Sequence, residues 1–335
     1  MVPRSLASTS LPARLLAWSV VALVATVSRA SSAEPSKLPP EIGWSYGELE
    51  TPRTAALGGA TRAVGPDTSA VLQNPANIVA TPVYYLSGFG AVMTDAKRQT
   101  YGGILMDGTR RYGLGVSAAY ILQDREGLKR KGTDARAALG YQISDKLSFG
   151  VTGKYLKLYQ DGLGPFGRSL ASDGLSKEPI VSGFSFDAGV TARPTELISI
   201  AVVGTNLTNP GDGFRPTGVG GGLGVGSRDF TIEGDLHADF TTYDKTQLRA
   251  MGGAELLAGG HFPLRVGYRW DEFWKSHALS GGVGYIDAGW SAEISLRRAF
   301  SPQNLGSTAI FFSFSYLVDQ AIVERSPGAG SFSMD

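Results

Sequence analysis

Glu233, Asp235, His237 and Asp239 stand two residues apart in the segment Phe230 to Phe240. Carboxylates and an imidazole at that density are the side chains that hold divalent cations or pass protons. The other histidines, His261 and His277, share no metal-ligand spacing with His237, so the row reads as a wetted wall and not as a ligand set. There is no cysteine, which removes a thiol nucleophile, cysteine-ligated zinc, a disulfide framework and a lipidated cysteine. No Gly-x-Ser-x-Gly elbow and no Gly-Lys-Ser/Thr phosphate loop occurs. The glycine run at 218–226 fits no Gly-x-Gly-x-x-Gly register. No catalytic residue, metal or cofactor is therefore expected, and the chain is not expected to be an enzyme. What remains is a balanced set of charges: Arg136, Lys154, Arg249, Arg265, Arg269 and Arg297 against Asp187, Glu233, Asp235, Asp239, Glu255 and Glu293. An ion-selective open pore uses one dominant sign. Equal numbers of both suit pairing across an enclosed space.

The elements that must position these charges follow from the spacing of two. In 230–241 the apolar set Phe230, Ile232, Leu236, Ala238 and Phe240 alternates with Thr231, Glu233, Asp235, His237 and Asp239. Successive side chains of a strand point to opposite faces, so one face is oily and the other wet. The pattern recurs along the chain and predicts fourteen strands, near 83–93, 98–107, 112–122, 132–143, 146–159, 182–192, 196–206, 217–226, 229–241, 247–257, 262–271, 277–286, 288–299 and 307–318. Very short links such as Ser144-Asp145 and Arg193-Pro194-Thr195 make neighbours antiparallel. No helix-length apolar period interrupts them, which excludes crossover α/β folds.

Strands of this length match the ~9–11 residues of a tilted membrane-spanning strand. Aromatics near strand ends (Tyr84, Tyr112, Tyr141, Trp270, Trp290) suit interfacial girdles. Charges on the opposite parity would be unpaired in a dry soluble core. The prediction is an all-β protein, an antiparallel transmembrane β-barrel of about fourteen strands over 82–319, with its polar face inward. An even strand count puts both barrel ends on one side. Forty-five glycines against 42% hydrophobic residues fit a wall that must bend or approach material inside it. Lys and Arg total 31 and Asp and Glu 30, so no polycation is present to hold nucleic acid.

Two segments flank and fill this barrel. Residues 1–33 carry Arg4 and Arg14, an uncharged run Leu15 to Val27, and small residues ending at Ala30 or Ala33. They read as a secretory signal peptide, because the apolar run is shorter than the ~20 residues of a spanning helix. Residues 34–81 do not alternate. They read as a linker with Pro35, Pro39 and Pro40, then short helical turns capped by Asp67 or Thr68 and ended at Asn74-Pro75. This block is too small for a core of its own and is expected to sit in the barrel as a hatch. Residues 320–335 form a C-terminal tail.

The spacing Arg53-x-x-x-Leu57-Gly58-Gly59-Ala60, then Asp67, Ala70 and Asn74-Pro75-Ala76, resembles the N-terminal hatch signature of the FadL-like outer-membrane transport superfamily. That group includes long-chain fatty-acid channels and PorV/PorQ-type barrels. Phe186-Asp187-Ala188-Gly189-Val190 with Val203-Gly204-Thr205-Asn206-Leu207, and Gly253-Ala254-Glu255 with Leu264 to Arg269, are similar to the mid-barrel of the PorV-type branch. Where the family places glycine after Asn-Pro-Ala this chain has Asn77, a residue that tolerates left-handed backbone. The resemblance implies passive uptake of small hydrophobic molecules across the outer membrane of a Gram-negative-type bacterium. A ligand would bind in an apolar pocket near the outer rim, the hatch would shift, and the ligand would leave sideways through the wall. Arg53, Asp67 and Asn74 would seat the hatch, with Gly58 and Gly59 in its tight backbone. The alternative is a PorV-like barrel that binds or scaffolds a secreted or surface protein. Implied partners are outer-membrane lipid and either hydrophobic small molecules or that protein.

Overall fold

The structure, a computed structural model, describes residues 49–124, 127–162, 178–227, 229–242, 245–272, 275–300 and 307–319. The expected leader 1–33, residues 34–48 and the tail 320–335 lie outside the described residues.

The alternation becomes a closed antiparallel barrel in which every strand pairs with its sequence neighbours and β1 closes on β14. The strands are β1 Val83–Met93, β2 Arg98–Asp107, β3 Tyr112–Gln123, β4 Arg130–Ser144, β5 Leu147–Gln160, β6 Val181–Ala192, β7 Ile198–Thr205, β8 Gly218–Gly226, β9 Phe230–Asp239, β10 Gln247–Ala258, β11 Phe262–Asp271, β12 Ser276–Ile286, β13 Trp290–Phe300 and β14 Thr308–Asp319. Each lies within a few residues of the range expected from the sequence. β1 and β14 close the ring over their whole length, from Val83↔Asp319 to Met93↔Ala309.

Burial follows the parity. On β9, Ile232 and Leu236 are exposed while Glu233, Asp235, His237 and Asp239 are buried. The exposed large side chains of the other strands, among them Leu114, Val116, Leu264, Val266, Ile294 and Phe312, form an outward apolar belt of the kind that faces lipid. Fourteen strands spaced ~4.8 Å at a tilt of ~40° enclose a bore about 28 Å across between backbones. Such a bore buries its wall only if something fills it.

Residues 49–81 fill it. They form helix α1 (Pro52–Ala56), helix α2 (Ser69–Gln73) and a 3₁₀ helix (Pro75–Ala80). Thr51 caps α1 through Thr54 N, with Pro52 opening the helix where no amide proton is needed. Asp67 accepts from Ser69 N at 3.0 Å ahead of α2, whereas Thr68 makes no capping bond. Asn74 leaves helical geometry at φ −152° before Pro75, and its Oδ1 caps the 3₁₀ helix through Ala76 N. Asn77 continues that 3₁₀ helix and is absent from the left-handed residues, which corrects the expectation for it. The segment crosses the bore. α1 lies against β11–β14 and the 3₁₀ helix lies against β3–β6.

The two rims differ. At the turn end, β1 begins, β14 ends, and β4–β5 and β12–β13 are joined by tight turns. At the opposite, loop end lies the connection 206–217 between β7 and β8.

Candidate functional site

The plug is fixed to the wall by charge. Arg53 Nε lies 3.0 Å from Glu255, and its Nη1 donates to Val64 O at 3.0 Å. Glu255 is shared with Arg265, which also reaches Glu293 at 2.9 Å. Burial works against the Arg53 charge, but Glu255 and Asp67 outweigh it and hold the guanidinium pKa above its ordinary value. Glu50 receives Arg269 and Arg297, the latter at 2.7 Å, and Arg269 Nε donates to Gly58 O at 2.8 Å. Glu233 and Asp235 take the backbone amides of the plug. Asp235 accepts from Thr61 N at 3.2 Å and Arg62 N at 3.1 Å, and Glu233 accepts from Ala63 N and Val64 N. The Arg62 guanidinium lies 3.3 Å from Asp235. Two acids two residues apart on one strand face thus satisfy four consecutive amides of an irregular segment, which a buried backbone requires.

Glycine lets the wall and the plug touch backbone to backbone. Gly58 (φ 69°) and Gly59 (φ 101°) hold left-handed geometry after α1. A Cβ at Gly267 would collide with the backbone of Leu57 and Gly58. One at Gly253 would lie 2.7 Å from Leu57 Cα, and one at Gly140 2.7 Å from Pro75 O. Asn74 Nδ2 donates to Arg62 O at 2.6 Å and to Thr191 Oγ1 on β6 at 2.8 Å. Asn77 donates to the same Arg62 carbonyl and accepts from Arg193 at 2.9 Å. The Asn74-Pro75-Ala76 motif therefore meets the wall through Asn74 and the 3₁₀ helix.

The remaining expected residues have other partners. Asp67 bonds within the plug, to Ser69, and not to the wall. Arg136 donates to Leu72 O at 3.0 Å and pairs with Asp134 at 2.7 Å. Lys154 pairs with Asp187 at 2.7 Å, and Arg249 with Asp271 at 3.1 Å. Asp239 accepts from Thr241 N and Thr242 N. His237, His261 and His277 lie apart, bonded to Thr205, Ile286 O and Tyr268. Among the described residues no group of three His, Asp or Glu is placed to hold a metal ion. Sequence reasoning did not single out Glu50, Arg62, Asp134 or Asp271. A count of acids and bases on the plug and at strand ends would have flagged Glu50, Arg62 and Asp271, and the parity of β4 would have flagged Asp134.

The wall is not uniform. β5 and β6 pair from Leu147↔Ala192 to Leu158↔Val181. β6 and β7 pair only from Ala188↔Gly204 to Ala192↔Ile200. The loop-end half of β6, Val181 to Asp187, has no strand of β7 beside it. The segment 206–217 covers this stretch. Asn206 N donates to Asp187 at 2.7 Å, Leu207 N to Phe186 O at 2.9 Å, Thr208 Oγ1 to Ser185 Oγ at 3.0 Å, and Arg215 Nη1 to Gly183 O at 2.6 Å. Most of that seam is side-chain bonding. Phe184, 76% exposed, stands on the outside of it.

Two cavities open at the turn end. One of about 530 Å³ lies between Val64–Pro66 of the plug and Arg193, Glu196 and Thr231 of the wall. The other, of about 660 Å³, is lined by Val79, Pro82, Arg110, Arg111 and Gln142. At the loop end the apolar side chains Ile121, Leu156, Leu158, Val181 and Phe214 close on one another.

The barrel is similar to that of the CymD monoaromatic hydrocarbon channel, with a TM-score of 0.63 and 14% identity over 82% of this chain and 98% of that one. It is similar to the Ralstonia pickettii toluene transporter TbuX, with a TM-score of 0.61 and 11% identity over 82% and 99% of the two chains. A Pseudomonas aeruginosa FadL homologue matches with a TM-score of 0.54 and 12% identity over 82% and 99%. The first two are a channel and a transporter by description, and the third is a homologue of FadL, the type to which the sequence motif pointed. At these identities the likeness is one of fold. No protein-family model and no curated protein matches the chain.

Proposed function

We propose that this chain is an outer-membrane channel that lets small hydrophobic molecules enter passively, with residues 49–81 as its hatch. The observation that carries the reading is the architecture itself: an apolar-faced fourteen-strand barrel with an internal plug, shared with hydrocarbon channels at 82% coverage of the chain. In such a membrane the turn end faces the periplasm and the loop end faces outward. A plug stitched to the wall bars a straight aqueous path, so a hydrophobic solute needs another exit. The half-paired seam between β6 and β7 supplies a lateral one, toward lipid. The balanced, paired lumen charges support a barrel that does not conduct ions freely.

The test is uptake of radiolabelled toluene by proteoliposomes containing the purified protein. Saturable uptake above that of empty vesicles, with no steady conductance in planar bilayers, is the expected result. Steady ion conductance at rest, with no saturable uptake, would make the protein a diffusion porin instead. A second reading, a barrel that holds a secreted or surface protein, is favoured by the short loop-end connection at 94–97 and by the mid-barrel segments. It expects a specific protein to co-purify with the barrel while no hydrophobic ligand binds.

A further inference from the structure

Phe214 stands apart from the rest of its connection. The segment 206–217 is polar and irregular, with Asn206 (φ 51°), Asn209 (φ 47°) and Gly211 (φ 73°) in left-handed geometry. Its neck is tied by Asn206 Nδ2 to Pro216 O at 2.8 Å and Thr217 Oγ1 to Asn206 O at 2.8 Å. Asp212 folds the tip, accepting from Phe214 N at 3.1 Å and Arg215 N at 2.9 Å. That turn sends Phe214 into the lumen, where it is fully buried among Ile121, Leu156, Leu158 and Val181. The Arg130 guanidinium lies 5.5 Å from its ring centroid, held by its Nε bond to Gln160 at 2.8 Å. Apolar walls around a ring with a desolvated cation over its face form a receptor for an aromatic ring.

We propose that Phe214 is a tethered occupant of an aromatic ligand site at the loop end of the lumen, and that an incoming single-ring aromatic molecule displaces it and so lifts the segment 206–217 from β6. One movement then does two things. It vacates the site, and it removes the bonds, three through side chains and one between backbones, that close the β6–β7 seam. The bonds lost, at Asp187, Phe186, Ser185 and Gly183, run along the unpaired half of β6. The neck at Asn206 and Pro216 moves the segment as a unit. This rests on the channel reading above, and it names the ligand class and the gate. The cation over the ring makes the site aromatic-selective, because a saturated ring of equal size has no π-face to offer.

Two variants test it, each in the full-length purified barrel. Phe214→Ala leaves an apolar void, and a void of about 150 Å³ in such surroundings binds benzene. The expected result is toluene binding at least tenfold tighter than in the parent protein, with about a tenfold preference over methylcyclohexane. Equal or weaker toluene binding, or no preference between the two rings, overturns the site. A Phe214→Leu variant gives the same ordering if the alanine variant does not assemble. The gate is tested by Thr208→Cys with Ser185→Cys in a chain that has no other cysteine. Oxidation is expected to lower toluene uptake at least tenfold, and reduction to restore it. Full uptake by the oxidised protein overturns the gate. If the parent takes up toluene while these variants change nothing, this inference fails and the channel reading stands. If Phe214→Ala binds toluene while no form transports it, the site stands and the channel reading fails.

Discussion

Two seams meet the same barrel wall and are built in opposite ways. The plug seam joins residues 49–81 to β3–β6 and β8–β14 through buried ion pairs, amides seated on Glu233 and Asp235, and glycines that let backbones touch. The flap seam joins 206–217 to β6 largely through single side-chain bonds, with one apolar ring as its anchor. Breaking a buried ion pair by removing one partner costs about 3–5 kcal/mol, whereas the flap's hydrogen bonds contribute about 0.5–1.5 kcal/mol net where neutral and about 1.5–3 kcal/mol where Asp187 or Arg215 takes part. On the proposal above, the plug is the fixed part and the flap the part that a ligand displaces.

The sharpest way to break that contrast is to force the plug out. Gly267→Leu drives a side chain into the backbone of Leu57 and Gly58, which have no flexible atoms to give way. The barrel is expected to keep its heat-modified gel mobility while planar bilayers change from silent to conducting, since the bore is about 28 Å wide without its filling. Continued silence would mean that the plug tolerates the intrusion and is the looser part. Next in size is Arg53→Ala. It leaves Glu255 with Arg265 alone and strands Val64 O, and the expected loss is about 3–5 kcal/mol in urea unfolding. A loss below ~1 kcal/mol would put the plug seam on the same footing as the flap.

These two seams were not equally legible in the sequence. Period-two alternation located every strand because lipid on one side and a filled lumen on the other force strict parity. Arg53 and Asn74 stood out through the resemblance of their segment to a known hatch signature. Glu50 and Arg62 did not, because the plug has no periodicity and its partners come from strands far along the chain; Asp134 was passed over although it shares the inward parity of Arg136 on β4. The flap was the least visible. Residues 196–206 alternate like any other strand, so nothing in them told that β7 ends at Thr205 and leaves half of β6 uncovered. A lone phenylalanine between Asp212 and Arg215 in a polar connection was the available signal, and alternation is blind to it.

Smaller effects sharpen the comparison within the flap. Asn206→Ala removes the amide bond to Pro216 O and places a Cβ residue without a turn-forming side chain at φ 51°. The expected cost is about 1–2 kcal/mol, seen as a lower urea midpoint, and toluene uptake is expected to rise two- to fivefold because the closed state is weakened. Asn206→Gly, which keeps the left-handed backbone, is expected to lie between the two. If uptake falls in both, the neck is needed for opening and the flap does not swing as a unit.

The smallest change belongs to a pair outside both seams. Lys131 Nζ lies 2.7 Å from Asp161 with both side chains about half exposed at the loop end. Solvent and salt screen such a pair, and ordering two long side chains offsets most of its attraction. Lys131→Ala is expected to leave unfolding, conductance and toluene uptake unchanged within error. Lys131 lies on β4 next to Arg130, whose guanidinium faces Phe214, so the variant is a stringent control. A measurable change in uptake would show that general disturbance of the loop end, and not release of the flap from β6, sets the gate.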